Sequence, residues 1–216
     1  DGQMMTTMAD AGVADVDRAV MAARTTFEQG SWAKLAPAAR KAVMHKIADI
    51  IEAHALELAV LGVRDNGTEI GMALKAEPGS AAATFRFYAE AVDKVYGEIA
   101  PTHESVLGLI HREPVGVVAA IVPWNTQIQL AANKVGPALA AGNSIIVKAS
   151  EHASAAMLEF AAIVAELDLP PGTFNVITGH GEPVYGADLI ETCLSRMFDA
   201  VEYVHKTTLK GISDGK

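Results

Sequence analysis

The chain has 216 residues, half of them apolar, and a formal net charge of −9. This length fits one domain or slightly more, with enough apolar residues for a sizeable core. The negative charge argues against nucleic acid or an anionic membrane surface as a partner, and no apolar run reaches the ~18 residues of a membrane span. The single cysteine, Cys193, excludes an internal disulfide and fits a reducing, cytoplasmic setting.

Helical patterns fill the first hundred residues. Residues 13–27 carry apolar side chains at helical spacing, and Asp15 or one of its neighbours is the candidate N-cap for this first helix. Pro37 suits the first turn of a long second helix that reaches about residue 61. Pro78 opens a third helix, whose aromatic side chains are interpreted as core packing. Residues 107–111 alternate enough to form a strand.

The following segment has the pattern of a strand–helix–strand unit. Residues 115–122 and 144–147 are short apolar runs rich in Val and Ile, which is typical of parallel strands buried on both faces. Residues 127–141 predict a helix between them, with Gly142 as a candidate C-cap. The downstream residues predict another helix, a third parallel strand and the start of a further helix, at 153–167, 174–178 and 183–190.

Polar residues follow the predicted strands, where ligands of open α/β sheets bind. Asn125 follows the first strand, and its amide can donate a hydrogen bond to a developing oxyanion; the alternative is that it caps the next helix. Lys148 and Glu151 follow the second strand, and together they can bind the two hydroxyls of an adenosine ribose. The alternative for this pair is an exposed ion pair that contributes little.

Two further patterns concern a possible substrate face and metal binding. Thr126, Gln129, Leu130 and Asn133 lie on one face of the predicted helix, and three of the four are polar. This face either served a polar substrate or is under no functional demand, and both interpretations stay open. The seven histidines show no metal-ligand spacing, so no metal site is expected.

Four motifs in order resemble the coenzyme-binding domain of the aldehyde dehydrogenase superfamily, nearest to the enzymes that oxidise aminoaldehydes and betaine aldehyde. They are Arg-Glu-Pro-Val-Gly-Val (112–117), Pro-Trp-Asn (123–125), Gly-Pro-Ala-Leu-Ala-Ala-Gly-Asn (136–143) and Leu-Pro-Pro-Gly-Thr-Phe-Asn-Val (169–176). The resemblance covers roughly residues 2–190. It implies an α/β fold, namely a truncated doubly wound (Rossmann-like) parallel sheet with an amino-terminal helical layer.

The resemblance also implies a function, which is NAD-dependent oxidation of an aldehyde to a carboxylic acid, with NADP less favoured. Asn125 would hold the aldehyde oxygen as the oxyanion donor. The coenzyme would be bound by residues at three strand ends, which are Val122, Pro123, Trp124, Lys148, Ser150, Glu151 and Gly181. For Trp124 the alternative is a buried structural tryptophan. The strand around 107–113 would help to assemble subunits, so a homo-oligomer is expected.

The nucleophile and base motifs of the family, Gly-Gln-x-Cys and Glu-Leu-Gly-Gly, do not occur in this sequence. We therefore expect residues 1–190 to form a partial, incomplete coenzyme-binding domain that is inactive alone, since covalent catalysis needs the thiolate. Residues 191–216 diverge from the family; they are either its carboxyl-terminal assembly strand, joined by an internal deletion, or unrelated sequence. The alternative function is a non-catalytic nucleotide-binding or assembly module.

Overall fold

A computed structural model describes residue 4 and residues 6–180 of the chain. The described residues form seven helices and five strands. The helices are α1 (Val13–Gln29), α2 (Pro37–Ala53), α3 (Ala55–Asn66), α4 (Ile70–Ala76), α5 (Pro78–Ala91), α6 (Gln127–Ala140) and α7 (Ala155–Ala165). The strands are β1 (Glu98–Ala100), β2 (Gly108–Ile110), β3 (Val117–Ile121), β4 (Ser144–Lys148) and β5 (Phe174–Ile177).

The central feature is a parallel sheet in the order β3-β4-β5. Helices α6 and α7 connect consecutive strands, α6 packs against β4, and α7 packs against β5. Helix α1 contacts all three strands and shares a separate apolar cluster with them, so the sheet has helices on both faces. The predicted α/β, doubly wound parallel arrangement is therefore confirmed.

The two apolar runs that predict parallel strands differ in burial. Strand β4 lies between two neighbours, and all five of its residues are buried. Strand β3 is an edge strand whose last residue, Ile121, is exposed. The prediction of burial on both faces is thus confirmed for β4 and only partly met by β3, in which Val117 and Ala120 are buried and Ile121 is exposed. Among the described residues, no strand pairs with the outer side of β3.

Helices α2 to α5 form the predicted amino-terminal helical layer. Helix α5 packs closely against α2 and α6. The fully buried Phe85 of α5 contacts Phe160 of α7, which in turn contacts Phe174 of β5. The predicted core packing is confirmed for Phe85 and for the partly buried Tyr88, which packs against the same cluster, whereas Phe87 of the same helix is exposed.

Two predicted helix boundaries are wrong. The long helix over residues 37–61 is two helices, because the backbone at His54 leaves helical geometry between α2 and α3. The N-cap of α1 is Gly12, whereas Asp15 lies in the first turn and accepts a hydrogen bond from the Gly12 N–H at 2.8 Å.

The predicted cap after α6 is displaced by one position. Its C-cap is Ala141, and Gly142 follows with φ +91° and donates its N–H to the Leu139 carbonyl. A glycine in this left-handed region is typical of the first residue beyond a helix.

A small antiparallel sheet lies outside the parallel one. The strand predicted around residues 107–111 is β2, and it pairs with β1, which the sequence did not predict. Helix α4 was not predicted either. The predicted helix at 183–190, Gly181, Cys193 and the tail at 191–216 lie outside the described residues. Within the part that the structure describes, no helix is both long and apolar enough to cross a membrane.

Candidate functional site

The carboxyl ends of the three parallel strands lie side by side. Ile121 of β3, Lys148 of β4 and Ile177 of β5 are in register. The first residues beyond the strands stay connected, since Val122 donates its N–H to the Lys148 carbonyl and Ala149 donates to the Ile177 carbonyl. The polar residues that follow β3, β4 and β5 therefore lie together at the carboxyl ends of the strands, as the sequence predicts.

The turn between β3 and α6 presents Asn125 to solvent. Asn125 is exposed, and Trp124 beside it is 49% exposed, so the alternative of a buried structural tryptophan is wrong. The N-cap of α6 is Thr126, but its side chain makes no capping hydrogen bond to the helix. An exposed amide next to an exposed aromatic surface is suited to contact a ligand.

A buried carboxylate caps α6 instead of Asn125. Glu77, the residue before α5, is 3% exposed, and its Oε2 accepts the Ile128 N–H at 3.1 Å. Burial raises the pKa of Glu77, although the hydrogen bonds from the backbone of Ile128 and Gln127 oppose this. The alternative interpretation of Asn125 as the cap of α6 is thus wrong. Sequence reasoning missed Glu77 because it is remote from α6 in the chain.

Lys148 and Glu151 form an ion pair that is largely buried on the lysine side. The side chain of Lys148 is 4% exposed, and its Nζ lies 3.1 Å from Oε2 of Glu151. The pKa of Glu151 is lowered by a hydrogen bond from its own backbone and by the Lys148 ammonium. The alternative of an exposed ion pair does not hold for Lys148, whose side chain is buried, whereas Glu151 is exposed.

The loop after β4 is held by the buried Ser150. Its carbonyl accepts a hydrogen bond from the Ser154 hydroxyl at 2.6 Å, and its Oγ accepts the His152 N–H at 3.3 Å. Both contacts are local, so Ser150 shapes the loop that carries Glu151. This geometry fixes the position of the carboxylate relative to Lys148.

The amino-terminal segment also reaches this edge, which sequence reasoning missed. The Thr178 hydroxyl donates to the Ala9 carbonyl at 2.7 Å, and Asp10 accepts hydrogen bonds from the backbone and side chain of His180. These contacts, together with Lys148, lower the pKa of Asp10. Asp10 is therefore a second carboxylate at this end of the sheet, and it interacts electrostatically with the Lys148 ammonium.

The outer face of α6 turns away from the core. Its residues Thr126, Gln129 and Leu130 are half-buried and Asn133 is exposed, whereas Ile128 is buried. The four predicted residues do share one accessible face, and both interpretations of its polarity stay open.

Helix α7, which follows β4, is also capped by a carboxylate of the helical layer. Asp65 of α3 accepts the Ala155 N–H, at the first residue of α7, at 2.6 Å. Among the residues described, no group of three or more His, Cys, Asp and Glu side chains is arranged to hold a metal ion.

Comparison with known proteins agrees with this arrangement. Residues 1–197 match the aldehyde dehydrogenase family. The chain is 52% identical over 167 residues to the NADP/NAD-dependent aldehyde dehydrogenase PuuC of Escherichia coli, covering 77% of this chain and 34% of that protein. The chain belongs to the aldehyde dehydrogenase family.

Solved structures give the same fold. The γ-glutamyl-γ-aminobutyraldehyde dehydrogenase of Burkholderia cenocepacia is 48% identical with a TM-score of 0.82, over 85% of this chain and 37% of that one. An indole-3-acetaldehyde dehydrogenase complexed with NAD⁺ is 43% identical with a TM-score of 0.84, over 88% of this chain and 38% of that one. The chain spans about a third of the length of the curated relatives that it matches.

Proposed function

We propose that this chain supplies the adenosine-ribose subsite and the oxyanion donor of an NAD-dependent aldehyde oxidation site. The observation that carries the proposal is the buried Lys148 ammonium, paired with Glu151 beside the exposed turn of Asn125. Pro123 and Trp124 are exposed in the same turn, and Val122 and Ser150 fix the two loops. The part assigned to Gly181 rests on the resemblance alone.

The chemistry of the Lys148–Glu151 pair fits a ribose. A lysine ammonium can donate three hydrogen bonds, and Glu151 accepts one of them. A ribose diol accepts a further hydrogen bond from Lys148 and donates one to Glu151. A buried ammonium is stabilised by such partners, because water that would otherwise solvate it is largely excluded.

The same carboxylate favours NAD over NADP. The lowered pKa keeps Glu151 ionised, so it accepts a hydrogen bond from a free 2′-hydroxyl and repels a 2′-phosphate. Asp10 adds a second negative charge near Lys148. This preference is a property of the described residues, whereas the relative PuuC is named for both coenzymes.

Asn125 would act on the aldehyde oxygen. NAD, when bound, supplies the acceptor for the hydride. The Asn125 amide donates a hydrogen bond where negative charge develops on that oxygen, an interaction typically worth a few kcal/mol. The cysteine and glutamate motifs are absent from these 216 residues, so we propose that the chain alone does not oxidise aldehydes.

Calorimetric titration with AMP, NAD and 2′,5′-ADP tests the coenzyme subsite. We expect weak binding, with AMP and NAD nearly equal, because the adenosine half makes the contacts. Lys148→Met should abolish AMP binding. Glu151→Gln should reduce the difference in affinity by which AMP is preferred over 2′,5′-ADP. Lys46→Met removes an exposed lysine that pairs with Asp168 and is the matched control. Unchanged AMP binding by Lys148→Met would refute the subsite.

A direct assay tests the expected inactivity. No steady NADH formation is expected with a panel of aldehydes. Turnover that is lost on Asn125→Ala would show that another group replaces the missing thiol, whereas turnover lost on Cys193→Ser would assign the nucleophile to that cysteine.

A second candidate function, assembly, is favoured by the exposed β1–β2 sheet. Ile99 and Leu109 are directly paired across the two strands and are 73% and 68% exposed. Tyr96 and Leu107, which flank the two strands, are also exposed. Exposed apolar patches on a strand pair promote association, and we propose that a second copy of the chain covers this one.

Sedimentation over a range of concentrations tests the assembly function. The expected state is an oligomer, and Ile99→Lys with Leu109→Lys should shift it towards monomer. Leu56→Lys changes an equally exposed leucine on α3 and is the control. A wild-type monomer throughout the range would refute the assembly role.

A further inference from the structure

Asn66 makes an unusual set of contacts at the end of α3. Its Nδ2 donates to the backbone carbonyls of Trp124 and Asn125, both at 3.2 Å. Its Oδ1 accepts the Thr68 N–H at 2.9 Å. These contacts define the orientation of the amide, because only Nδ2 can face two carbonyl oxygens while Oδ1 faces an N–H.

The two carbonyls belong to the turn that presents Asn125. At the start of this turn, Val122 donates its N–H to the Lys148 carbonyl. Beyond it, Ile128 donates to the buried Glu77. The backbone from Val122 to Ile128 is therefore held at its start, its middle and its end, and in the middle the contact comes from one side chain that is 58 or 59 residues away in sequence.

We propose that Asn66 is a positioning residue for Asn125. By binding both consecutive carbonyls, it fixes the two peptide planes next to the Asn125 side chain and so sets the direction of its amide. A hydrogen-bond donor for an oxyanion is effective when it is already oriented before charge develops. The proposal rests on the proposed role of Asn125, and it extends the site to the amino-terminal helical layer.

The test uses Asn66→Asp and Asn66→Ala in the whole chain. Asp keeps the size of the side chain and the acceptor for Thr68, but places an oxygen against the two carbonyl oxygens. Ala removes the donor without adding repulsion. A positioning role therefore predicts a larger disturbance of the turn by Asp than by Ala. A role in helix packing alone predicts the reverse, because Asp preserves volume and the contact with Thr68.

The two tryptophans of the chain provide the readout. Trp124 lies in the turn, whereas Trp32 is buried and its indole N–H donates to the Leu139 carbonyl at 2.9 Å. In a ¹⁵N–¹H spectrum, Asn66→Asp should shift or broaden the Trp124 indole signal and raise its quenching by acrylamide, with the Trp32 signal unchanged. Asn66→Ala should have a smaller effect.

Asn133→Asp is the matched control, because it makes the same chemical change at an exposed position of α6. The proposal is overturned if Trp124 responds equally to Asn66→Asp and Asn133→Asp, if Ala disturbs it more than Asp, or if both tryptophan signals move together. The readout is the conformation of the turn. It is therefore independent of the coenzyme titrations and aldehyde assays that test the proposed function.

Discussion

Glu77→Gln should make the protein more stable at neutral pH and remove part of its pH dependence. Glu77 is buried, and its Oε2 accepts the Ile128 N–H at the first turn of α6. Gln has nearly the same shape and keeps an acceptor for this N–H, but it carries no charge to bury.

The direction of this pH dependence follows from the pKa of Glu77, which burial raises above its ordinary value of 4.5. Folding then favours the protonated form, so the contribution of Glu77 to stability is present in acid and is lost as the pH rises through the folded pKa. Each unit by which the pKa is raised corresponds to about 1.4 kcal/mol. The advantage of Glu77→Gln should therefore grow from near zero in acid to its full value above the folded pKa.

A second variant measures how much the hydrogen bond between Glu77 and the Ile128 N–H contributes to the free energy of unfolding. Glu77→Ala leaves the buried Ile128 N–H without an acceptor, which costs about 1–3 kcal/mol relative to Glu77→Gln. This difference should be the same at every pH, because neither side chain titrates. In a chain of this size it corresponds to roughly 2–4 °C in Tm for each kcal/mol.

The assay is urea unfolding of the three proteins, monitored by tryptophan fluorescence, from about pH 4, below the ordinary pKa of Glu77, to about pH 8. The carboxylates with lowered pKa, among them Asp10, Glu90 and Glu151, lose their contribution as the pH falls. They are common to all three proteins and cancel in the differences. Parallel stability curves for wild type and Glu77→Gln would refute the reasoning, since they would mean that Glu77 titrates alike in the folded and unfolded states.

Two further predictions concern packing. Phe160→Ala should lower the free energy of unfolding by about 3–5 kcal/mol, because this fully buried ring contacts Phe85 and Phe174; a loss in urea unfolding below about 1 kcal/mol would contradict the aromatic core. Gly172→Ala should destabilise more than Gly67→Ala: both have positive φ, but a Cβ at Gly172 would lie 2.5 Å from a carbonyl oxygen of α1, whereas one at Gly67 meets nothing within 4 Å. Equal losses in thermal unfolding would mean that α1 moves away without cost.

The sequence predicts the parallel sheet well because its signals are local. Short Val- and Ile-rich runs predict β3 and β4, and the segment between them predicts α6 almost to the residue. What local patterns cannot give is the order of strands. The exposure of Ile121 follows from the edge position of β3, which is defined by pairing between remote segments.

Helix breaks without proline or glycine are equally hard to predict. The apolar stripe of residues 37–61 continues through His54, and nothing in composition marks the boundary between α2 and α3. The break changes the direction of the chain, and α3 then packs against α4 and α7. Helix α7 is remote from α3 in sequence, so a pattern confined to residues 37–61 does not contain this contact. Helical periodicity alone does not predict the break.

The residues that shape the site were missed for the same reason. Asn125, Lys148 and Glu151 lie at strand ends, where the sequence points to them. Asn66 and Glu77, by contrast, act on segments more than 50 residues away. The nearest local signal for Glu77 is its place directly before Pro78, at a helix start, where a charged side chain is usually exposed. Its burial is evident only from the folded structure.

The helical layer therefore does more than cover the sheet. It places carboxylates at the amino-terminal ends of both helices behind the sheet edge, Asp65 at α7 and Glu77 at α6. Such helix ends are favourable positions for phosphate groups, but here one N–H at each helix start already donates to a carboxyl side chain. A dinucleotide at this edge thus gains little from α6 or α7 through its pyrophosphate. In the proposed function its recognition rests on the Lys148–Glu151 pair, which would contact the ribose, and AMP should therefore bind as well as NAD.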